Sequence, residues 1–382
     1  MNGTDNEVQL AQALIRAPSP SGRESPAAAV LRGALEELAF DEVVIDGAGN
    51  VVGTMRGRAG GPTVMLNGHL DTVPVGDESL WPHPPLSGAV ADGRLWGRGA
   101  CDMKAALACM ALAASDVRAA GFRGTLMVSG VVQEEVGGIG AHHMASERRA
   151  DLVLLGEPSN LRLMFGHRGV VELHVTLPGR IAHAARAELG ENALSRAAAF
   201  IRALERLELP AGGPLGRSSA TPTRLSTFPP DGKNVVPGRA DLTIDYRNLP
   251  DDPPGQALAR VRALDPGAEV EIPEIERVSE SGELPRRAPH VVRPYLAPRD
   301  HPLVAPVRDA LRGVLSAEGR ALGEGYWWFC TDAPELATMA PVVLGFGPGE
   351  EELAHTTRES VPLEHLRLAR RAYAAVALAL LC

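Results

Sequence analysis

Lysine is nearly missing from this 382-residue chain and stands only at positions 104 and 233. Asp plus Glu (47) outnumber Lys plus Arg (38), which leaves a formal net charge of -9. No basic stripe is available to neutralise phosphates, so a nucleic-acid binder is excluded. Cysteine is scarce, and the four at 101, 109, 330 and 382 share no C-x-x-C spacing. Neither a thiolate zinc site nor a disulfide framework is expected. Long apolar runs are lacking too. Ala374 to Leu381 is apolar but far shorter than the ~20 residues needed to span a bilayer, and it reads as the buried end of a terminal helix. Asp5, Glu7 and Gln9 interrupt the N-terminus before a secretory apolar region can form. A cytoplasmic protein with no membrane partner is expected.

What is present is the composition of an ordinary globular protein, 45% hydrophobic and 22% charged. The length favours two domains. Several apolar runs each break off into a side chain that can bind metal or move a proton. Thr63 to Leu66 runs into Asn67-Gly68-His69-Leu70-Asp71, and Thr125 to Val132 ends in Gln133-Glu134-Glu135. Leu152 to Leu155 is followed by Gly156-Glu157-Pro158, and Pro341 to Phe346 leads through a Gly-rich loop to His355. Short apolar runs bounded by Gly and Pro read as buried parallel strands. In an open α/β sheet the functional crevice lies outside the carboxyl ends of such strands.

Along the chain, Glu7 to Arg16 and Ser25 to Leu38 have helical spacing, and Glu42 to Ile45 and Val51 to Met55 read as strands. Lys104 to Ala120 predicts a buried helix, which places Asp102 where a loop enters it. Beyond Glu157 the pattern changes. Gly169 to Leu177 alternates like a half-buried strand, Asn192 to Leu207 is helical, Thr223 to Phe228 and Arg239 to Tyr246 are strand-like, Gly255 to Leu264 is helical and Glu269 to Ile275 is strand-like. That order is β-α-β-β-α-β, the ferredoxin-like arrangement. An inserted α+β domain over 166–293 is expected to separate two parts of one α/β catalytic domain, 1–165 and 294–382, with Pro285 to Asp300 as the return linker.

Each chemical element has a plain alternative. A His-x-Asp such as His69 and Asp71 is often a core histidine beside a capping aspartate. Adjacent acids such as Glu134 and Glu135 are commonly a solvated loop, and His355 and His183 could be surface histidines. Their conjunction at successive strand ends points instead to a metal site.

The segments Gly68-His69-Leu70-Asp71-Thr72-Val73-Pro74, Gly97-Arg98-Gly99-Ala100-Cys101-Asp102-Met103-Lys104, Gln133-Glu134-Glu135, Gly156-Glu157-Pro158 and Ala354-His355-Thr356 resemble the dinuclear-zinc family of acetylornithine deacetylase, succinyl-diaminopimelate desuccinylase, aminoacylase and carboxypeptidase G. The resemblance covers nearly the whole chain. It implies a zinc-peptidase-like catalytic domain with a mixed, mostly parallel sheet and a ferredoxin-like lid that dimerises. It implies that Asp102 bridges two divalent metals, zinc first and cobalt or manganese as alternatives. His69 and Glu157 would complete one ion, and Glu135 and His355 the other. Three carboxylates against two such cations leave one positive charge, which a bridging hydroxide neutralises.

By the same resemblance Asp71 hydrogen-bonds the His69 imidazole and fixes its tautomer, and Glu134 is the general base. His183, in Ile181-Ala182-His183-Ala184-Ala185, resembles the lid histidine that reaches across from the partner subunit to the oxyanion. The family's small hydroxyl residues are replaced here by Ala184 and Ala185. Asn234, in Asn234-Val235-Val236-Pro237, resembles the substrate-touching loop, and Arg247 the guanidinium that grips a substrate carboxylate. Arg168 is a further substrate candidate, or only positions the hinge. Tyr326-Trp327-Trp328-Phe329-Cys330-Thr331-Asp332 is the densest aromatic run in a chain that is 4% aromatic. Either it lines the pocket, with Asp332 meeting a substrate amine, or the two Trp pack in the core.

The expected reaction is hydrolysis of an amide bond, releasing an amino acid from an N-acetyl or N-succinyl amino acid. A dipeptidase or carboxypeptidase on the same machinery is the near alternative. A non-catalytic metal- or ligand-binding protein on this fold and a two-metal phosphoesterase are the outside ones.

Overall fold

The computed structural model describes residues 6–282 and 284–382. Within them a nine-stranded mixed sheet runs in the order Glu42–Ile45, Val51–Arg56, Arg123–Val131, Arg58–His69, Leu152–Leu155, Val343–Gly345, Leu163–His167 and Tyr295–Leu296. Glu324–Trp327 pairs in parallel with Leu163–His167 off that path. The consecutive strands from Arg123–Val131 to Val343–Gly345 are parallel. Their side chains divide by alternation. Val64, Leu66, Leu126, Val128, Leu152 and Leu154 enter one core with the helices Ala105–Ala120 and Leu363–Leu381. Met65, Met127, Val153 and Leu155 enter another with the helix Ile139–Glu147 and with Leu336. A strand covered on both faces reads as an unbroken apolar run, which is why the sequence announced these four so clearly.

Their register sets the crevice. His69 stands opposite Val131, Asn67 opposite Leu155, and Leu155 opposite Gly345. The carboxyl ends of the parallel strands are therefore level, and the residues that follow them open onto one edge. Two glycines bring the buried helix close beneath that edge. A Cβ at Gly68 would lie 2.5 Å from Met103 Cε, and one at Gly156 would lie 2.5 Å from Met110 Cε. These glycines immediately precede His69 and Glu157, so the absence of a side chain there lets both residues sit against the helix.

The chain leaves this sheet after His167 and re-enters it at Tyr295. Between them lies a five-stranded sheet in the order Ser219–Phe228, Arg239–Arg247, Val170–Pro178 and Glu269–Glu271, with Val291–Val292 also on Val170–Pro178. Its strands pair antiparallel, and the first of them in the chain is flanked by the third and fourth. The helices Ala193–Leu204 and Pro254–Arg262 cover one face through Phe200, Leu204, Ala257 and Val261. The element order is β-α-β-β-α-β, as the periodicity suggested.

Two local expectations change. The strand expected over Glu269 to Ile275 breaks at Pro273 into Glu269–Glu271 and Glu274–Val278. The second piece forms a hairpin with Pro285–Pro289 that joins neither large sheet. The stretch Pro285 to Asp300 is thus more than a linker. It supplies that hairpin strand, a strand to the inserted sheet and Tyr295–Leu296 to the main sheet. Proline is tolerated on such edge strands because no ladder N–H is needed there, and that composition hid the strands. No helix among the described residues is long and apolar enough to cross a membrane.

Candidate functional site

The strand ends converge on Asp102. It sits in the tight turn Ala100–Lys104 that leads into the buried helix, with extended backbone (φ -123°, ψ 88°). Its two carboxylate oxygens are divided between two histidines. Asp102 Oδ1 lies 2.9 Å from His69 Nε2, and Oδ2 lies 3.1 Å from His355 Nε2. Glu157 Oε1 is 3.8 Å from His69 Nε2, and Glu135 Oε2 is 3.0 Å from His355 Nε2. Two groups of donors result, His69 with Asp102 and Glu157, and Asp102 with Glu135 and His355; in each, the ligand atoms lie within 4.8 Å of one another.

The charge in this crevice is one-sided. Burial and the nearby Glu157 and Asp332 push Glu134 well above the usual carboxylate range. Burial also raises Glu157, with His69 opposing and Asp102 and Glu135 adding repulsion. Asp332 is pushed up to about 7 by burial. Asp102 goes the other way: burial acts to raise it, but the hydrogen bonds from His355 and His69 outweigh that and hold it low. Carboxylates packed this closely need cations. Mixed imidazole and carboxylate donors suit zinc, cobalt or manganese, so the residues present fit two divalent ions sharing Asp102.

The turn holding Glu134 and Glu135 follows Gln133, whose φ of 56° is left-handed. Such a conformation costs about 1–3 kcal/mol and persists where its surroundings over-determine it. Here the Gln133 side-chain amide donates to Val278 O at 2.7 Å. Asp71 clamps the same turn. Its Oδ1 accepts the Glu134 N–H at 3.0 Å, while Oδ2 accepts the Glu135 N–H at 3.2 Å and the Ser21 hydroxyl at 2.8 Å. This corrects the expected role of Asp71. The backbone carbonyl of Asp71 meets His69 Nδ1 at 2.9 Å, whereas its carboxylate is 3.7 Å away. The carbonyl therefore fixes the ring tautomer, and the carboxylate is already committed to the two N–H groups.

A cavity of about 540 Å³ opens above these residues, lined by Asp102, Glu134, Glu135, Glu157, His355, Arg247, Asp332 and the aromatic run, among others. The aromatic run divides its duties. Trp327 is buried across Gly345, where a Cβ would fall 1.8 Å from its ring, and it donates to Pro158 O at 2.8 Å. Trp328 faces the cavity and is 59% exposed. Asp332 Oδ2 is buried without a hydrogen-bond partner. Arg247 lines the cavity too, with its Nε and Nη2 on Asp245 at 2.7 and 2.9 Å.

Five expected residues lie outside the cavity lining: His69 and Asp71, which are buried, and Arg168, His183 and Asn234. Arg168 donates to Arg217 O at 2.8 Å and to Ser219 Oγ at 3.2 Å, at the start of the strand Ser219–Phe228. His183 and Asn234 stand together on the inserted domain: His183 pairs with Val235, and the Ala184 N–H donates to Asn234 O at 2.9 Å. Within one chain neither reaches the crevice. Sequence reasoning missed Glu359, which is fully buried and accepts the N–H groups of Cys101 and Asp102 at 3.1 and 3.2 Å. No spacing signal marks it, because its work is to hold a backbone. It missed Arg277 and Arg286 as well, which line the cavity from the hairpin.

Comparison with known proteins agrees with this geometry. A model of Peptidase family M20/M25/M40 matches residues 65–379. The uncharacterized protein YgeY of Escherichia coli K12 is 28% identical over 377 residues, covering 96% of this chain and 92% of that protein. The aminopeptidase PepT of Bacillus cereus superposes with a TM-score of 0.77 at 20% identity, covering 99% of each chain. The M20 family metallo-carboxypeptidase Sso-CP2 of Sulfolobus solfataricus does so with a TM-score of 0.78 at 16% identity, covering 100% of this chain and 99% of the other.

Proposed function

The chain belongs to peptidase family M20/M25/M40 and is a metal-dependent hydrolase, and we propose that it cleaves the amide bond of N-acyl amino acids, acetyl or succinyl, with Glu134 as general base. The observation that carries this reading is the division of the Asp102 oxygens between His69 and His355, each backed by a second carboxylate. His69, Asp102 and Glu157 would hold one divalent cation, and Asp102, Glu135 and His355 the other. Such ions polarise a carbonyl and make water acidic enough to attack it at neutral pH.

The remaining work falls to the chain. Glu134 faces the cavity but belongs to neither donor group, so its carboxylate is free to take a proton from the attacking water. As the carbon–nitrogen bond breaks, that proton passes to the amine nitrogen, giving a carboxylic acid and a free amine. Asp71 holds the Glu134 backbone in place, and Glu359 holds that of Asp102. Arg247 takes the amino-acid carboxylate, with Asp245 orienting its fork. His183 and Asn234 come from a partner subunit, His183 to donate to the oxyanion. Pairing through the inserted domain is supported by its edge strand Ser219–Phe228, which carries exposed Leu225 and Phe228.

A dipeptidase or carboxypeptidase reading also has support. Asp332 presents a buried carboxylate oxygen without a partner, which suits the free α-amine of a peptide. The test is free-amine release from N-acetyl and N-succinyl amino acids and dipeptides by zinc- or cobalt-loaded protein. Chelator-sensitive cleavage of an acyl class is expected. Preference for dipeptides moves the enzyme to the peptidase reading, and inactivity of fully metallated protein on the whole panel contradicts both.

A further inference from the structure

The hairpin Glu274–Val278 with Pro285–Pro289 belongs to neither large sheet, yet one of its faces walls the cavity. Strand alternation puts Ile275, Arg277, Arg286 and Ala288 on that face and sends Glu274, Glu276 and Arg287 outward. The outward arginine is matched: Arg287 Nε lies 2.7 Å from Glu274 Oε2. The inward ones are matched less well: Arg277 has no ion pair, and Arg286 has a shared one with Glu335, with Asp332 close enough to feel its charge. Arg277 and Arg286 are direct cross-strand partners, and like charges opposite one another destabilise a hairpin.

Their existing contacts leave them short of negative charge. Arg277 donates through Nε to Val136 O and through Nη1 to Glu276 O at 3.3 Å, both backbone carbonyls. Arg286 reaches Gly137 O at 3.4 Å, and its Nη2 stands 3.5 Å from Glu335 Oε1. Glu335 is shared, since it also receives His142 at 2.9 Å and lies 3.8 Å from Arg293. Arg247, by contrast, already has Asp245 across its fork. Burial lowers the Arg277 pKa with nothing acting to raise it, as for a cation without an anionic partner.

We infer that Arg277 and Arg286 form a second carboxylate-binding subsite, which selects acyl groups ending in a carboxylate, of succinyl length or longer. The Val136 contact places the pair beside the turn that carries Glu134. Because Arg247 is assigned the amino-acid carboxylate, the anion left for the hairpin belongs to the acyl half. This deepens the amidohydrolase reading and rests on it. The subsite also gives the like-charged pair a reason, since a bound carboxylate bridges two guanidinium groups that otherwise repel.

The test measures binding apart from turnover. In full-length, zinc-loaded Glu134→Gln protein, calorimetry compares the N-succinyl and N-acetyl forms of one amino acid, alone and with Arg277→Gln or Arg286→Gln added. The succinyl form is expected to bind tighter by roughly tenfold or more, on the scale of a charge-assisted hydrogen bond. Either arginine variant should remove most of that preference and leave acetyl binding unchanged. Arg287→Gln, on the outward face, serves as the control for hairpin integrity and should keep the preference. No preference in the parent protein, or an equal loss for both ligands in the variants, overturns the subsite. A preference in the Glu134→Gln protein, with wild-type protein at full metal loading hydrolysing nothing on the panel, leaves the subsite standing and removes the reaction reading instead. Hydrolysis of the panel without the preference does the reverse.

Discussion

Glu134→Gln is expected to lower kcat by roughly a hundred- to ten-thousandfold, the usual worth of a positioned general base, while leaving metal content unchanged. The substitution is nearly isosteric and keeps the half-buried site filled. The backbone of residue 134 stays anchored, because the bond to Asp71 Oδ1 comes from its N–H and not from its side chain. Neither donor group includes Glu134, so the bound ions should not notice the change. What is lost is the ability to accept a proton from water. Metal analysis with steady-state kinetics decides the point. Near-wild-type turnover at full metal loading would remove Glu134 from the mechanism, and a fall in activity that tracks metal loss would make it a ligand.

The second large effect is expected at Asp102. Each of its oxygens serves a different histidine, at 2.9 and 3.1 Å, so one side chain closes both donor groups. Asp102→Ala should therefore weaken both ions together, by more than the roughly tenfold to hundredfold typical of an outer-shell partner, and abolish hydrolysis. Substitutions at His69 and Glu157, or at Glu135 and His355, should each affect one ion first. The turn itself should hold, because Glu359 grips the backbone N–H of residue 102, which the substitution keeps. Circular dichroism distinguishes loss of metal from loss of structure. Retention of one tightly held ion by folded Asp102→Ala would show that the groups do not share this residue.

Much of the site was readable from sequence for a specific reason. His69, Glu134, Glu135 and Glu157 lie at or just past the ends of strands buried on both faces, so the unbroken apolar runs mark where each strand stops. Asp102, at a loop-to-helix junction, and His355, beyond a Gly-rich loop, were marked more weakly and took their roles from the resemblance, because a tight turn and a long loop carry no periodicity. What stayed hidden depends on tertiary contact. The Asp71 carboxylate binds backbone N–H groups instead of the imidazole, and Glu359 holds another residue's backbone; neither leaves a sequence pattern. The hairpin was concealed by proline. Its Arg277 and Arg286 alternate with Glu276 and Arg287, but the strands are five residues each, too short to separate from linker. The two Trp could not be told apart by composition, since Gly345 alone makes room for Trp327.

Two divalent ions held by donor groups that meet at Asp102 would give a countable stoichiometry. Wild-type protein stripped with chelator and reloaded with zinc should bind two ions per chain by elemental analysis after gel filtration. His355→Ala and His69→Ala should each retain one and lose activity. A wild-type stoichiometry of a single ion, or full loss of both ions on removing His355 alone from a folded protein, would rule out two donor groups that meet at Asp102.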